Sequence, residues 1–194
     1  MASGLRIGVL ALQGDFAEHL RALTRLGVEG CRVRKVEELR QVDGLILPGG
    51  ESTTIGTLME RFGLMEALRE LARQGKPLYG TCAGLILMAK EIEGSQQPRL
   101  GLMDITVRRN AYGRQVESFE ADVEVPRLEG PPLRAVFIRA PQVVRASPGV
   151  EVLAQWEGLP VLVQQGPWLA STFHPELTDD LRIHRYFLSL VRAA

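Results

Sequence analysis

The sequence predicts a doubly wound, mostly parallel α/β sheet flanked by helices, with antiparallel strands in its second half. In the first half, short apolar runs typical of β-strands alternate with helical patterns, and such strands pair in parallel through right-handed crossovers. In the second half, strand candidates follow one another at close spacing, as in antiparallel hairpins. The 194 residues fit one domain, so we expect residues 1–194 to form a single one.

The first half supplies the parallel part of the predicted sheet. The helix at 15–26 has apolar residues at positions 16, 20, 23 and 26, and Gly27 ends it. The predicted strands are 5–12, 30–36, 44–47 and 77–80, and the predicted helices are 15–26, 52–72 with a break near Gly63, and 83–90.

The second half supplies the antiparallel strands. Gly158 and the pair Gly166-Pro167 are typical of hairpin turns. The predicted strands are 105–107, 117–125, 135–139, 150–156, 159–165 and 168–172, and a helix at 179–191 follows them.

The composition excludes several classes of function. Lys+Arg and Asp+Glu both number 23, so no net charge attracts nucleic acid or an anionic membrane. No apolar stretch approaches the ~20 residues that span a bilayer. The two cysteines form no metal-type pair and no export signal is evident, so we expect a cytoplasmic protein without a metal site.

The segment Gly80-Thr81-Cys82-Ala83-Gly84 is the sharpest chemical signal. It follows an apolar strand and precedes a helix, as the nucleophile elbow does. Cys82 would then be a nucleophile at a helix N-terminus, which favours the thiolate, and the Ala83 backbone N–H would face an oxyanion. The alternative is a buried core cysteine. Cys31, inside a predicted strand, is expected in the core.

A cysteine nucleophile needs a base, and His174 is the best candidate among three histidines. Glu176 lies two residues on and on an extended backbone faces the same side, where it can accept the second ring N–H. His184 lies in the amphipathic last helix and is expected on its surface. His19 lies on the first helix without neighbouring catalytic residues.

The loop Pro48-Gly49-Gly50-Glu51-Ser52 follows the predicted strand 44–47. Ligands of parallel sheets bind beyond the carboxyl ends of the strands, so this loop and Cys82 should meet. Its glycines permit a backbone that turns N–H groups inward, and Gly50 would supply a second oxyanion donor. The alternative is a plain turn with Ser52 as helix cap. A phosphate-binding P-loop is excluded because Gly-Lys-Ser/Thr is absent.

The order Pro-Gly-Gly, Gly-x-Cys-x-Gly and His-Pro-Glu resembles the class I, triad-type glutamine amidotransferases, which have a flavodoxin-like sheet. Within that class, the chain resembles the family of glutaminase subunits of pyridoxal 5′-phosphate synthase. The segments that carry this closer resemblance are 8–19, 47–54, 109–119, 137–141 and 172–176.

The resemblance implies a reaction and a set of roles. Cys82 would attack the side-chain amide of L-glutamine to give a thioester and ammonia, with His174 as base and acid and Glu176 orienting it. Water would then release glutamate. The residues implied to bind glutamine are Gly49, Gly50, Glu51, Arg109, Ile138 and Arg139. One arginine would meet the α-carboxylate.

The resemblance also implies a partner. Ammonia would pass to a (β/α)₈ synthase subunit in a hetero-oligomeric complex that makes pyridoxal 5′-phosphate (vitamin B6), so this chain needs no cofactor of its own. The residues implied at the interface are Gln13, Gly14, Asp15, Glu18 and His19. If the Gly49-Gly50 peptide must flip to complete the oxyanion hole, activity would depend on docking.

Two other classes of protein compete with this interpretation. An esterase or cysteine peptidase with a nucleophile elbow usually carries its acid on a different strand end from its histidine, unlike the His174-x-Glu176 spacing here. A binding subunit that has lost its chemistry would normally lack nucleophile, base or acid. All three are present, and both alternatives are disfavoured.

Overall fold

The structure is a computed structural model that describes residues 4–109 and 118–194. In this part of the chain the strands are β1 (Arg6–Leu10), β2 (Glu29–Val33), β3 (Gly44–Leu47), β4 (Leu78–Thr81), β5 (Ala89–Ile92), β6 (Met103–Arg108), β7 (Ser118–Val123), β8 (Leu133–Ile138), β9 (Gln142–Ala146), β10 (Glu151–Trp156), β11 (Leu159–Gln165) and β12 (Trp168–Ser171). The α-helices are α1 (Phe16–Arg25), α2 (Val36–Leu39), α3 (Ser52–Arg61), α4 (Leu64–Arg73), α5 (Ala83–Met88) and α6 (Arg182–Ala193), and Pro175–Leu177 form a 3₁₀ turn.

The central sheet has the order β10-β11-β12-β4-β3-β1-β2 among the described strands. The strands from β12 to β2 pair in parallel, and β10, β11 and β12 pair antiparallel. The predicted fold class, a mostly parallel sheet with antiparallel strands from the second half, is therefore confirmed. Two smaller sheets, β5-β6-β9 and β7-β8, lie beside it.

Alternating residues of the central strands fill two apolar layers, one on each face of the sheet. In β3, Leu45 and Leu47 pack into one layer and Ile46 into the other. This is the period of two that an extended strand imposes. Helices cover both faces, which explains why these parallel strands are apolar throughout.

Several elements differ from the prediction. The helix predicted at 83–90 ends at Met88, and Ala89–Ile92 is a strand that pairs with β6. Pairing with a distant strand is a tertiary effect that local helix pattern does not reveal. The short α2 and strand β9 were not predicted.

Two predicted breaks have the expected backbone. Gly63 has φ 72° and separates α3 from α4. Glu157 and Gly158 both have positive φ between β10 and β11, as a two-residue hairpin turn requires. Residues 110–117, which include most of the 109–119 segment and the first residue of the predicted strand 117–125, lie outside the described residues.

The order of the central strands determines where a site forms. The chain passes from β1 outward to β2 and returns on the other side of β1 as β3. Loops that follow β1 and β3 therefore diverge and leave a crevice at the carboxyl ends of the strands. In the described residues, no helix is long and apolar enough to cross a membrane.

Candidate active site

A cavity of about 500 Å³ opens at the carboxyl ends of β1, β3 and β4. The loops after these strands and the segments around Arg109, Ile138 and His174 form its wall. Its lining residues are Gln13, Asp15, Gly49, Gly50, Glu51, Ser52, Cys82, Ala83, Ile86, Arg109, Ile138, Arg139 and His174.

Cys82 lies at the turn between β4 and α5. Its φ of 52° and ψ of −101° are unusual for a side-chain-bearing residue, and such strain is typical of functional turns. Its backbone is held on both sides, because its N–H donates to the Ser171 carbonyl at 2.8 Å and its carbonyl accepts from Ile86 N–H at 3.1 Å. The thiol is 7% exposed and lies 3.7 Å from the Ile138 carbonyl oxygen.

The glycines that flank Cys82 allow the close approach that the sequence predicts. A Cβ on Gly84 would lie 2.1 Å from the Leu47 carbonyl oxygen, and one on Gly80 would lie 2.6 Å from the Gly84 carbonyl oxygen. Both neighbours are backbone atoms, which cannot turn aside as a side chain does. The elbow therefore presses α5 directly against β3 and β4.

His174 and Glu176 form the expected pair, with a different backbone from the expected one. His174 Nδ1 lies 2.7 Å from Glu176 Oε2. The backbone between them is the 3₁₀ turn Pro175–Leu177 rather than an extended strand, because Pro175 fixes φ and favours a helical first turn. The glutamate thus reaches the ring through a tight turn. Since Nδ1 is occupied, Nε2 is the nitrogen left for a reacting sulfur.

Asp15 adds a second carboxylate to the His174 ring. Its Oδ2 lies 3.2 Å from His174 Nδ1, and its backbone N–H donates to the Gly49 carbonyl at 3.1 Å. The sequence assigned Asp15 to a partner interface alone, and the structure places it in the wall of the cavity. Ligands of parallel sheets bind beyond the carboxyl ends of the strands, and the loop after β1 lies at the same edge of the sheet as the loops after β3 and β4.

The electrostatics of the cavity follow from these contacts. Burial lowers the pKa of His174, but hydrogen bonds with Asp15, Cys82 and Glu176 outweigh it and raise that pKa above its ordinary value. Burial raises the pKa of Glu176, and His174 only partly offsets this. The pKa of Asp15 is lowered, because its hydrogen bonds to His174 and Glu176 outweigh burial. These shifts favour the charged ring of His174 beside the ionised carboxylate of Asp15.

The glycine loop after β3 packs tightly against its neighbours. The Glu51 N–H donates to Gln13 Oε1 at 2.8 Å, and a Cβ on Gly14 would lie 1.9 Å from the Gly49 carbonyl oxygen. A Cβ on Gly49 would lie 2.4 Å from His174 Cε1. Only glycine fits at these contacts. The loop after β1 thus holds the loop after β3 in place.

The helix cap at this loop differs from the expected one. Glu51, not Ser52, caps α3, since its carboxylate accepts the backbone N–H groups of Thr53 and Thr54 at 3.2 and 2.7 Å. Burial raises the pKa of Glu51, and its bonds with Thr54 and Thr53 lower it overall. Ser52, the first helical residue, instead accepts the Gln97 side-chain N–H at 3.0 Å.

The remaining predicted binding residues line the same cavity. Arg109 donates to Thr53 Oγ1 at 3.1 Å and to the Gln97 side-chain oxygen. Ile138 is 38% exposed, and Arg139 has a positive φ of 44°. Gln97 was not predicted, and no motif surrounds it in the sequence.

Two histidines outside the triad are buried. His184 is 1% exposed, so the expected surface position is wrong. His19 is fully buried, and its expected interface role stays a prediction. Both face inward because α1 and α6 turn these positions toward the sheet. Glu18 instead pairs with Arg21 at 2.8 Å near the surface, and its interface role stays a prediction.

One group of side chains in the described residues has the composition of a metal site. Asp15, His174 and Glu176 bring their ligand atoms within 4.8 Å of one another. These residues are the proposed base, its acid and the neighbouring carboxylate. His174 Nδ1, which such a site would use as a ligand, is already in contact with Glu176 Oε2 and Asp15 Oδ2.

The sequence matches the SNO glutamine amidotransferase family over residues 9–193. A relative from Carboxydothermus hydrogenoformans, named pyridoxal 5′-phosphate synthase subunit PdxT, is 59% identical over 187 residues, which cover 96% of this chain and 98% of the relative. A PdxT relative from Thermotoga neapolitana is 56% identical and covers 97% of this chain and 100% of its own length.

Solved structures agree with these relatives. A crystal structure described as a glutamine amidotransferase superposes with a TM-score of 0.92 at 57% identity, covering 96% of this chain and 98% of that one. The PurLQS structure from Thermotoga maritima has a TM-score of 0.73 at 18% identity, covering 95% of this chain and 98% of that one, and supports the fold alone.

Proposed function

This chain belongs to the SNO glutamine amidotransferase family, and we propose that it hydrolyses L-glutamine to L-glutamate and ammonia through a thioester on Cys82. The observation that carries this proposal is the convergence of Cys82, His174 and Asp15 on one cavity, with Glu176 bound to Nδ1 of the His174 ring. A nucleophile, a base and an orienting acid are the minimum set for acyl transfer through a thiol.

The first half of the reaction forms the thioester. Cys82 Sγ attacks the side-chain amide carbon of glutamine as a thiolate, because the His174 ring already holds the proton that the thiol has given up. His174 then protonates the leaving nitrogen, so that the C–N bond breaks and ammonia departs. In the second half, His174 takes a proton from water, which attacks the thioester and releases glutamate and the thiol. Glu176 holds Nδ1 and stabilises the charged ring in both halves.

The tetrahedral oxyanion needs backbone donors. The Ala83 N–H lies at the first position of α5, where N–H groups have no acceptor within the helix. We propose Ala83 and Gly50 as the two donors. Such a donor typically contributes about 3–4 kcal/mol to transition-state stabilisation.

The cavity wall carries one positive and one negative side chain, which suit the α-carboxylate and the α-ammonium group of glutamine. Arg109 and Glu51 line the same cavity, and within the described part of the chain the Arg109 guanidinium donates to the neutral groups of Thr53 and Gln97. A guanidinium with neutral partners keeps its full charge for a carboxylate. We therefore assign Arg109 to the α-carboxylate, with Gly49, Glu51, Ile138 and Arg139 completing the site. This zwitterion site favours glutamine over an ester or peptide.

The ammonia is proposed to serve a synthase subunit. Relatives across nearly the full length of this chain are named subunits of pyridoxal 5′-phosphate synthase, and a (β/α)₈ partner would use the ammonia to build that product. Residues 1–194 would act as one glutaminase domain. Both cysteines are free thiols, which supports a reducing, cytoplasmic setting.

The loop after β1 is a candidate link between docking and catalysis. Gln13, Gly14 and Asp15 are proposed to meet the partner, and they also contact the Gly49-Gly50 peptide. Because that peptide is trans, its carbonyl and the Gly50 N–H point to opposite sides. The Asp15–Gly49 hydrogen bond thus fixes the direction of the proposed oxyanion donor. A partner that displaces Asp15 would free the peptide to turn.

The test is glutamate release from glutamine by the native chain and by Cys82→Ala, each with and without a synthase subunit. We expect turnover that the partner increases and that Cys82→Ala reduces by roughly 10³-fold or more, as removal of a catalytic nucleophile does. Cys31→Ala is the matched control and should retain full activity. Turnover that survives in Cys82→Ala would contradict the proposed nucleophile, and a free chain as fast as the complex would contradict the docking link.

A further inference from the structure

The two histidines outside the triad form a buried pair directly behind it. His19 Nδ1 and His184 Nε2 are 2.9 Å apart although the residues are 165 positions apart in sequence. The Tyr79 ring packs edge-on against both, at centroid distances of 6.4 and 6.1 Å. Burial lowers the pKa of each histidine, so both rings are neutral near pH 7.

The other nitrogen of His19 faces the catalytic groups. His19 Nε2 lies 3.2 Å from Thr81 Oγ1 and 3.7 Å from Glu176 Oε2. Thr81 directly precedes Cys82, and Glu176 Oε2 also binds His174 Nδ1 at 2.7 Å. His19 therefore lies between the strand that carries the nucleophile and the acid that orients the base.

The surroundings of His184 determine where the protons are. His184 Nδ1 is buried and has no hydrogen-bond partner among the described residues. A proton there would be a buried donor without an acceptor, which costs about 1–3 kcal/mol. The neutral His184 ring therefore carries its proton on Nε2 and donates it to His19 Nδ1.

This donation fixes the His19 tautomer in turn. With Nδ1 acting as acceptor, the single proton of the neutral ring is on Nε2, where it faces Thr81 Oγ1 and Glu176 Oε2. The opposite tautomer would present a lone pair to the Glu176 oxygen and would leave His184 Nδ1 protonated without a partner. Both penalties favour the same arrangement.

We propose that His19, with its tautomer fixed by His184, is a positioning residue that directs an N–H toward Thr81 and Glu176 and so aligns the acid with the nucleophile turn. This proposal rests on the proposed glutaminase function. His19 touches no substrate, since it does not line the cavity. Its effect is transmitted through the orientation of Glu176 and hence of His174.

The first test reads the tautomers without any mutation. The chain has three histidines, so long-range ¹H–¹⁵N correlation on the full chain labelled with ¹⁵N-histidine can assign each ring. We expect neutral rings at His19 and His184, each protonated on Nε2. A proton on His19 Nδ1 would direct the donor away from Glu176 and overturn the proposal.

The second test separates positioning from packing with two matched variants. In His19→Gln the side-chain amide reaches the place of Nε2, whereas in His19→Asn it reaches only the place of Nδ1. We expect His19→Asn to lower kcat by roughly ten- to a hundredfold, the scale of a misplaced catalytic group, with KM for glutamine unchanged. His19→Gln should retain kcat within about threefold of the native value.

The outcomes are distinguishable from failure of the proposed function. Equal kcat values for the two variants, at equal thermal midpoints, would mean that His19 only fills space and would overturn the proposal. If the native chain with its partner releases no glutamate, the glutaminase function itself fails. The tautomer measurement does not depend on turnover, and it still decides the hydrogen-bond arrangement should a variant fail to fold.

Discussion

The two sides of the His174 ring are built in different ways. On the cavity side, the Cys82 turn and the glycine loop are positioned by backbone: strand ends, a positive φ, and glycines at which an added Cβ would lie under 3 Å from a carbonyl oxygen. On the interior side, Glu176 and the His19–His184 pair are positioned by buried side chains that hydrogen-bond to one another. The first side is specified by backbone conformation and small residues, and the second by side-chain contacts, of which the His19–His184 contact joins residues 165 positions apart.

This difference explains which parts of the site the sequence reveals. The glycines beside a nucleophile form a short motif with it, so the motif is visible in the sequence even though Gly84 packs against the distant Leu47. A histidine that pairs with another 165 positions away has no local signal. Its partner is known only when α1 and α6 pack on the same face.

The largest effect on the interior side is expected from Glu176→Gln. Loss of the orienting acid costs about 10⁴ in kcat when no other carboxylate is present. Here Asp15 Oδ2 lies 3.2 Å from the same Nδ1, so we expect a smaller loss of roughly 10²- to 10³-fold. Steady-state glutamate release measures it.

A double-mutant cycle sharpens this prediction. Asp15→Asn should lower kcat by a larger factor in the Glu176→Gln background than in the native chain, because the two carboxylates serve the same nitrogen of His174. Glu93→Gln, at an exposed residue paired with Arg108, is the matched control. Strict additivity would show that Asp15 does not substitute for Glu176.

On the cavity side, the largest effect on stability is expected from Gly84→Ala. The added Cβ would lie 2.1 Å from the Leu47 carbonyl oxygen, and α5 must move away from β3 to admit it. Overpacking of this kind costs about 3 kcal/mol, which lowers the thermal midpoint by roughly 6–12 °C in a chain of this size. Gly149→Ala, where nothing lies within 4 Å, should leave the midpoint unchanged. Equal thermal midpoints for Gly84→Ala and Gly149→Ala would contradict the close contact between Gly84 and Leu47.

An intermediate effect is expected from Arg109→Gln. Removing the guanidinium should raise KM for glutamine by roughly ten- to a hundredfold, the value of one hydrogen bond to a charged group, and change kcat less. Arg139→Gln is the comparison that decides between the two arginines. A larger rise in KM for Arg139→Gln would assign the α-carboxylate to Arg139 instead.

Much of the fold and the proposed triad could be predicted from sequence, and the exceptions have physical causes. Strands β1, β3 and β4 show the expected apolar pattern because both faces are buried. The first two residues of strand β5 were predicted as helix, because the local pattern does not reveal the pairing of β5 with β6. The contact between His174 and Glu176 was predicted for an extended backbone. The structure makes the same contact through a 3₁₀ turn. The pairing of β5 is a long-range contact that overrides the local pattern, whereas the 3₁₀ turn follows from Pro175 itself.

The smallest predicted effect is a change in the pH dependence of stability in Asp15→Asn. The pKa of His174 is raised in the folded chain, so its contribution to stability is complete below about pH 6.5 and is lost as pH rises through the raised value. Asp15 is one cause of that rise. We therefore expect the native free energy of unfolding to fall between pH 6.5 and 9.5, with His174 contributing up to about 1.4 kcal/mol per pH unit. The pKa of Glu176 is raised to about 8, so Glu176 adds to the fall up to that pH. The fall in Asp15→Asn should be smaller by about 1 kcal/mol. The pKa of Asp15 is lowered, so its own contribution is lost only below about pH 4 and does not enter this window.

Urea unfolding at several pH values measures the free energy of unfolding of both chains. Asp179→Asn, at an exposed carboxylate paired with Arg25, removes the same charge and should leave the native slope. If Asp179→Asn flattens the slope as much as Asp15→Asn, the pH dependence arises from net charge and not from the carboxylates around His174.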